Sequence, residues 1–287
     1  MFSLYLLSTN SHLGQVLLDK QSIFRTVVNK ADTIDDTFRF FKMELLAGED
    51  DMLATVKENG CTFTFDFSQV YWNSRLHTEH ERIVKMVKKS DTILDVFAGV
   101  GPFAIPACKK GCILYANDLN PSSYSSLCEN AKVNHVSDRL KAYNMDGREF
   151  VQVVTHKLVT SALQRGLSSE EKVYSHVIMN LPGSAIEFLD SFEGLFTPIP
   201  QGLRSAVQLP TIHCYCFSKS EFPEEDALRM VERKLSVHLR RDTYTVSKVR
   251  DVAPSKLMMR VSFTLPAEIA YASKEEINPS TTVQGRT

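Results

Sequence analysis

The sequence has few of the features that mark a metal-binding, membrane-spanning or secreted protein. Its six cysteines form no CxxC pair and show no spacing with histidines that would predict a zinc site. No apolar run approaches the length of a membrane span. The apolar stretch 1–7 is too short for a signal peptide and lacks the basic start of one. We therefore expect a protein of a reducing compartment that is not secreted and carries no metal.

The chain also lacks the excess positive charge of a protein held on nucleic acid by bulk attraction. Its 33 Lys and Arg residues nearly balance 34 Asp and Glu residues, so the formal net charge is −1. Any contact with nucleic acid must then come from local basic patches. The candidates are two clusters, Arg82, Lys85, Lys88 and Lys89 and, further along, Arg233, Lys234, Arg240 and Arg241. Either cluster could instead be the solvated face of a helix.

The composition, 43% hydrophobic and 23% charged, is that of an ordinary folded protein. Residues 1–75 have β character and predict a small β-rich domain. The strands expected there are 15–18, 26–28, 37–46 and 61–67. The last alternates well, with Phe63, Phe65 and Phe67 on one face.

Residues 76–267 alternate strand and helix patterns, which predicts an α/β domain with a mainly parallel sheet. The expected strands are 92–97, 112–117, 140–144, 175–180, 210–217, 243–249 and 258–264. Since no helix separates the last two, we expect an antiparallel hairpin at the edge of the sheet. This Rossmann-like, seven-stranded arrangement resembles the class I methyltransferase layout. Residues 164–172 are expected to form a surface insertion, and residues 268–287 a flexible polar tail.

The most informative motif is a glycine turn after the first strand of this domain. Asp95 lies near the end of that strand, Gly99 and Gly101 follow it, and Asp118 comes directly after the second strand. Glycines allow a close backbone approach to a ligand, and an acid at this place can bind a ribose diol. The third glycine of a dinucleotide fingerprint is missing, as is a phosphate-binding Lys-Ser/Thr pair. S-adenosylmethionine, which has a ribose but no phosphate, fits best; an unrelated strand–turn–helix unit is the alternative.

The next two strand ends also carry polar residues. Asp146 and Gly147 follow the third strand, where an acid commonly meets an adenine amino group; Asp146 could equally cap the following helix, or do both. Asn180 and Pro182 follow the fourth strand. An Asn amide donates and accepts at once, which suits a base edge, and proline stiffens the loop. A plain strand-to-loop turn is the alternative.

Together, three segments of the chain resemble the class I tRNA guanosine-37 N1-methyltransferases. They are Asp95-Val-Phe-Ala-Gly-Val-Gly-Pro-Phe103, Asn117-Asp-Leu-Asn-Pro121 and Asn180-Leu-Pro with Ala185-Ile-Glu-Phe-Leu189. Val28-Asn-Lys30, the stretch 41–49 and the stretch 70–79 resemble the same family. The similarity runs from about Leu13 to about Leu265, which is nearly the whole chain.

The resemblance implies S-adenosyl-L-methionine as cofactor, the anticodon-loop region of tRNA as partner, and methylation of guanosine N1. In the family, a glutamate of a Thr-Glu element is the general base and an arginine polarises O6; these map to Glu79 and Arg39. Asn180 would hold the flipped base. The residues expected in the cofactor pocket are Tyr71, His80, Asp95, Gly99, Gly101, Asp118, Leu119, Asp146, Gly147, Asn180 and Pro182. By position alone, Glu79 would pair with a helix dipole just after a Thr78 cap, and Arg39 would be an exposed strand charge.

One departure concerns the start of the pattern, which the chain enters near residues 13–20. We expect the chain to lack the N-terminal domain with which the family docks on the tRNA elbow, and so to bind tRNA less tightly. Two alternatives stay open: a methyltransferase for another RNA base or a small molecule, and a shortened form that binds the cofactor without turnover. The family works in the cytoplasm, nucleus and mitochondrial matrix, and we expect a monomer.

Overall fold

A computed structural model describes residues 2–21, 23–34, 41–167 and 172–273. Arg39 lies outside these ranges, as do parts of the strand expected at 37–46, of the insertion expected at 164–172 and of the tail. No helix of the described ranges has both the length and the apolar character needed to cross a membrane.

The N-terminal part contains one helix and two antiparallel hairpins. Its elements are α1 (Phe2–Lys20), β1 (Thr26–Ile34), β2 (Phe41–Gly48), β3 (Leu53–Glu58) and β4 (Cys61–Asp66). β1 pairs with β2, and β3 pairs with β4. The strands expected at 26–28 and 61–67 are confirmed by β1 and β4.

The strand expected at 15–18 is wrong, because these residues lie inside α1. A short apolar run does not by itself distinguish a strand from a helix segment. The helix is decided by its neighbour: a Cβ added at Gly14 would lie 2.8 Å from Cβ of Leu46, so α1 packs directly on β2. The sequence pattern also failed to indicate β3, whose first residue, Leu53, is 59% exposed and whose pattern is therefore only weakly apolar.

The remaining elements alternate as expected. They are α2 (His77–Met86), β5 (Thr92–Asp95), α3 (Ala104–Lys110), β6 (Ile113–Asn117), α4 (Pro121–Val133), β7 (Leu140–Tyr143), α5 (Gly147–Arg165), β8 (His176–Met179), β9 (Thr211–Ser218), α6 (Pro223–Leu235), β10 (Tyr244–Ala253), β11 (Lys256–Thr264) and α7 (Ala267–Ala270). Short 3-10 helices cover Ser74–Leu76, Ala185–Phe192 and Gln201–Ala206.

Seven of the described strands form one sheet in the order β10-β11-β9-β8-β5-β6-β7. β5 to β9 run parallel, and β11 is antiparallel to both of its neighbours. The expected seven-stranded, Rossmann-like sheet with a closing hairpin is confirmed. The hairpin is inserted so that β11 lies inside the sheet and β10 forms the edge. Strand order reverses between β5 and β8, which places the ligand crevice at the carboxyl ends of these strands.

The β3–β4 hairpin packs on the large sheet. Phe63 and Phe65 belong to the same buried cluster as Ile93 of β5. The helix α4 extends this contact, because its C-terminal Asn134 bonds both the N–H and the carbonyl of Thr62, at 2.9 and 2.7 Å. The hairpin is thus continuous with the core of the α/β part, and the domain boundary expected near residue 75 stays a prediction.

Candidate active site

The two glycines of the turn between β5 and α3 face different surroundings. Both have positive φ, +55° at Gly99 and +101° at Gly101. A Cβ added at Gly99 would meet no heavy atom of the described residues within 4 Å. One added at Gly101 would lie 2.8 Å from the Cδ1 atoms of both Ile105 and Leu127. Gly99 therefore lines open space where a ligand can approach, whereas Gly101 lets α3 and α4 pack closely.

Asp118 ties the end of β6 to this turn. Its Oδ2 accepts a 2.8 Å hydrogen bond from the Gly99 N–H, and its Oδ1 accepts one of 2.9 Å from the Asn120 N–H. Burial raises the pKa of the Asp118 carboxyl above its ordinary value. Since each carboxylate oxygen can accept more than one hydrogen bond, both retain capacity for the hydroxyls of a diol.

Asp95 is the most unusual polar group of this edge. It is fully buried, and neither carboxylate oxygen has a hydrogen-bond partner among the described residues. Burial first, and the negative charge of Asp118 second, raise the pKa of Asp95 to about 8. An incompletely bonded, buried carboxyl beside a glycine turn is the kind of perturbed group that marks functional sites.

Asparagine side chains hold the neighbouring loops in place. The buried amide of Asn117 donates to the carbonyls of Val96 and Met145 at 3.2 and 3.0 Å and accepts from the Met145 N–H at 3.1 Å. Asn144 donates to the carbonyls of Asp118 and Leu119 at 2.7 and 3.0 Å. The three loops after β5, β6 and β7 are thus bonded to one another, with the side chain of Leu119 47% exposed.

Asp146 and Gly147 lie at the start of α5. The Asp146 side chain accepts a 2.8 Å bond from the Arg148 N–H, which confirms the helix-capping interpretation. A Cβ added at Gly147 would lie 3.1 Å from both Val96 and Phe97 side chains, so this glycine permits tight packing behind the crevice. The adenine contact expected for this pair stays a prediction.

Asn180 and Pro182 follow β8 on the other side of the switch point. Met179 is opposite Cys214 in the parallel pair β8–β9, so the next residue, Asn180, lies beside Tyr215. The Asn180 Oδ1 is buried and has no hydrogen-bond partner in the ranges that the structure describes. Pro182 is half-buried in the following loop.

Glu79 lies in the first turn of α2 and is buried, with 3% of its surface exposed. Its Oε1 accepts hydrogen bonds from the Tyr215 hydroxyl, at 2.8 Å, and from Arg260. Its Oε2 accepts one of 2.6 Å from Arg82. The carboxylate is therefore held by β9 and β11 of the sheet as well as by its own helix.

The expected Thr78 cap is wrong. α2 begins one residue earlier, at His77, after a 3-10 turn capped by Asn73. The Thr78 hydroxyl is 3.1 Å from Nε2 of His77 instead. The threonine before a glutamate predicted the right helix but the wrong starting residue, since the N-cap position of α2 is Leu76, at the end of the 3-10 turn.

Tyr71 and His80 flank this region. Tyr71 is 45% exposed, and its hydroxyl accepts a 3.2 Å bond from Asn73. His80 is buried, with Nδ1 2.6 Å from Oε1 of Glu58 and its ring edge-on to Phe103, the residue just before α3. His80 thus supports the helix that follows the glycine turn.

The structure brings most of the expected site residues to one edge of the sheet. Those at the carboxyl ends of β5, β6, β7 and β8 or in the loops after them are Asp95, Gly99, Gly101, Asp118, Leu119, Asp146, Gly147, Asn180 and Pro182. Arg39 lies outside the described residues. Sequence reasoning missed Tyr215 and Arg260; a charged arginine within an apolar strand was a signal for the second. The described residues contain no cluster of His, Cys, Asp and Glu suited to a metal ion.

The strand order, the glycine turn and the acid after β6 define a class I, Rossmann-like methyltransferase fold. A family model described as the TRM5/TYW2 methyltransferase domain matches residues 54–238. The chain belongs to this family.

Relatives and solved structures agree with this membership. A protein of Batrachochytrium dendrobatidis named tRNA (guanine(37)-N(1))-methyltransferase is 46% identical, over 91% of this chain and 61% of the relative. A protein of Danio rerio with the same name is 50% identical, over 90% of this chain and 52% of the relative. The chain thus spans about half to three-fifths of the length of these curated relatives.

Two solved structures extend the comparison. The complex of aTrm5 and tRNALeu superposes with a TM-score of 0.68 at 27% identity, covering 90% of this chain and 66% of that chain. Methanocaldococcus jannaschii Trm5 in complex with adenosine gives a TM-score of 0.63 at 26% identity, covering 89% and 67%.

Proposed function

We propose that this protein transfers a methyl group from S-adenosyl-L-methionine to N1 of guanosine 37 in tRNA. The observation that carries the proposal is the crevice of Asp95, Gly99 and Asp118 at the carboxyl ends of the strands, together with a buried carboxylate, Glu79, held by Tyr215 of β9 and Arg260 of β11. The curated names of the relatives and the solved complexes with tRNA and with adenosine support it.

The residues of the crevice fit the cofactor. Asp95 has a buried carboxyl with both oxygens free of partners in the described ranges, which suits an ammonium group. Gly99 faces open space, and Asp118 has acceptor capacity left for the ribose diol. Exposed Leu119 supplies an apolar surface for a base, and we assign Asp146 and Pro182 to the same part of the cofactor. When bound, the cofactor supplies an electrophilic methyl group on a sulfonium.

The acceptor side requires a base, because guanosine N1 carries a proton and is a poor nucleophile. Glu79 takes that proton while the bond from N1 to the methyl carbon forms and the bond from that carbon to sulfur breaks. Negative charge grows on O6, and Arg39 is the residue we assign to stabilise it. The Asn180 amide can both donate to and accept from the edge of the flipped base.

A matched pair of substitutions on α2 tests the assignment. We expect Glu79→Gln to leave cofactor affinity intact and to slow single-turnover methyl transfer by about 10²–10⁴-fold, the usual contribution of a positioned base. Glu81→Gln is the control, because Glu81 lies on the same helix with its side chain 49% exposed and paired with Lys85. Mass analysis of tRNA nucleosides identifies the product. A full rate in Glu79→Gln, or methylation at another base, would refute the corresponding assignment.

The partner and compartment follow from the same proposal. The anticodon-loop region, which contains guanosine 37, is the part of tRNA that must enter the crevice. The protein acts as a monomer in the cytoplasm, the nucleus or the mitochondrial matrix. Light scattering coupled to gel filtration, with and without tRNA, tests the stoichiometry: a particle of two protein chains would contradict a monomer.

A further inference from the structure

The two oxygens of the Glu79 carboxylate have unequal surroundings. Oε1 is bound from the interior by the Tyr215 hydroxyl, which is fully buried, and by Arg260, whose side chain is 5% exposed. Oε2 is bound at 2.6 Å by Arg82, whose side chain is 42% exposed. One oxygen is therefore held by the sheet, and the other by a side chain in contact with solvent.

These two kinds of contact differ in how easily they break. Water can take over the guanidinium of Arg82, which is 42% exposed, whereas Oε2 of the buried Glu79 needs another donor in its place. Breaking the Arg260 contact leaves both charges uncompensated in the interior, which is far more costly. Oε1 thus stays where β9 and β11 hold it, whereas Oε2 is the oxygen that can exchange Arg82 for a donor from a ligand.

Arg260 contacts Glu79 from a position in which its own Nε–H has no acceptor among the described residues. It lies within the apolar strand β11, opposite Tyr215 of β9, and its Nε is buried. A buried guanidinium with an unpaired N–H contributes little to the stability of the fold, because apolar residues of similar volume often stabilise the same position as well or better. The contact to which Arg260 directs its charge is the one with Glu79.

We propose that Arg260 and Tyr215 are positioning residues that fix Oε1 of Glu79, and that Oε2 takes the guanosine N1 proton after it separates from Arg82. This inference rests on the proposed function. The proton moves from N1 to Oε2 as the N1–methyl bond forms, and Arg82 is free to turn towards solvent or a phosphate during the step.

The test compares buried and exposed arginine contacts by single-turnover methyl transfer to tRNA over a range of pH. We expect Arg260→Met to lower the rate by about 10- to 100-fold, because the carboxylate of Glu79 is no longer held in position. The acidic limb of its pH profile should move to higher pH, because losing a nearby positive charge favours a protonated carboxyl. Cofactor affinity, measured by titration, should stay unchanged, and Arg260→Lys should restore part of the rate. Tyr215→Phe should lower the rate in the same direction.

Arg82→Met should act in the opposite sense. The rate should rise, up to about fivefold, because Oε2 no longer has to be released from its ion pair with Arg82. Arg229→Met is the control for loss of an arginine, since Arg229 lies on α6 with its side chain 63% exposed and paired with Glu225.

A double-mutant cycle separates positioning from general structural damage. In a Glu79→Gln background, Arg260→Met should cause no further loss of rate, because the residue acts through Glu79. If Arg260→Met lowered the rate as much in the Glu79→Gln background as it does in the wild type, the inference would be overturned. A rate for Arg82→Met below that of the wild type would also overturn it. If the wild type methylates guanosine 37 and Arg260→Met keeps the full rate, only the inference fails. If the wild type transfers no methyl group to that position, the proposed function fails and the inference with it.

Discussion

Replacing Asp95 by asparagine should make the protein less sensitive to rising pH. The pKa of the buried carboxyl is raised from 3.8 to about 8. Between these values the folded protein keeps a proton that the unfolded chain releases, so the stability contributed by this group is complete below about pH 4 and lost as pH rises to about 8. The loss is about 1.4 kcal/mol per pH unit, or roughly 4 kcal/mol by pH 7. An asparagine side chain cannot ionise, so the variant lacks this loss.

The measurement is urea unfolding of wild type and Asp95→Asn at each pH unit from 5 to 8. The difference between the two free energies of unfolding should change by about 1.4 kcal/mol per unit in favour of the variant. Asp118→Asn is a second check, because it removes the negative charge that is the second cause of the raised pKa of Asp95. In this variant the fall of the free energy of unfolding with rising pH should end below pH 8. Parallel stability curves for wild type and Asp95→Asn would refute the reasoning.

The same carboxyl should couple cofactor binding to proton release. A bound ammonium group favours the ionised form of Asp95, so binding at neutral pH expels the proton that burial retains. Wild-type affinity for S-adenosyl-L-methionine should then rise between pH 6 and pH 8 by up to about tenfold per unit. Asp95→Asn should bind more weakly and without this dependence. Calorimetry in two buffers of different ionisation enthalpy counts the protons; equal heats for wild type would contradict the assignment.

Three further predictions concern the turn, the ribose contact and a buried histidine. Gly101→Ala should destabilise the fold because its Cβ has no room, whereas Gly99→Ala should fold but bind the cofactor more weakly. Thermal unfolding measures the first effect, and titration with the cofactor measures the second. The reverse pattern would contradict the two roles. Asp118→Ala should weaken cofactor binding by roughly 1.5–3 kcal/mol, and equal affinity would remove the ribose assignment. Burial lowers the pKa of His213 well below 6.5, so stability falls as pH drops below about 6.5; His213→Gln should flatten that fall by up to about 1.4 kcal/mol per unit in urea unfolding. If the free energy of unfolding of His213→Gln fell with pH as steeply as that of the wild type, the prediction would be wrong.

The large sheet could be predicted from the sequence because its central strands are buried on both faces. Buried parallel strands are short continuous apolar runs, and the runs at 92–97 and 175–180 end within two residues of β5 and β8. The apolar runs do not predict the order of the strands in the sheet. The insertion of β11 between β9 and β10 depends on pairing between residues far apart in the chain.

The N-terminal part was harder to predict because its surroundings decide its structure. Residues 15–18 have an apolar pattern that suits a strand or a helix, and the helix contacts β2 through Gly14 and Leu18 while Val16 and Leu17 stay exposed. β3 alternates between exposed and half-buried residues, so its hydrophobic signal is weak.

The position of the expected cofactor residues at one edge of the sheet could be predicted because it depends on local patterns, and their contacts with a cofactor stay a prediction. Each polar residue there follows a strand, and the parallel sheet brings strand ends together. Asp146 shows that two interpretations can be compatible: one carboxylate oxygen caps α5, and the side chain is still exposed at the crevice. The contacts of Glu79 are not local in this way, since Arg260 is 181 residues further along the chain.

The two acids of the crevice illustrate why spacing alone could not separate their roles. Asp95 is buried without a hydrogen-bond partner among the described residues, so the proposed ammonium contact would complete its bonding. Glu79 is buried with three donors, so the proposed proton transfer would require that one of them leave. A sequence motif specifies a carboxylate in both places, but the number and burial of its donors come from strands that the motif does not contain. The bonding of Glu79 is therefore decided largely by Tyr215 of β9 and Arg260 of β11, whereas that of Asp95 is decided by its burial at the end of β5.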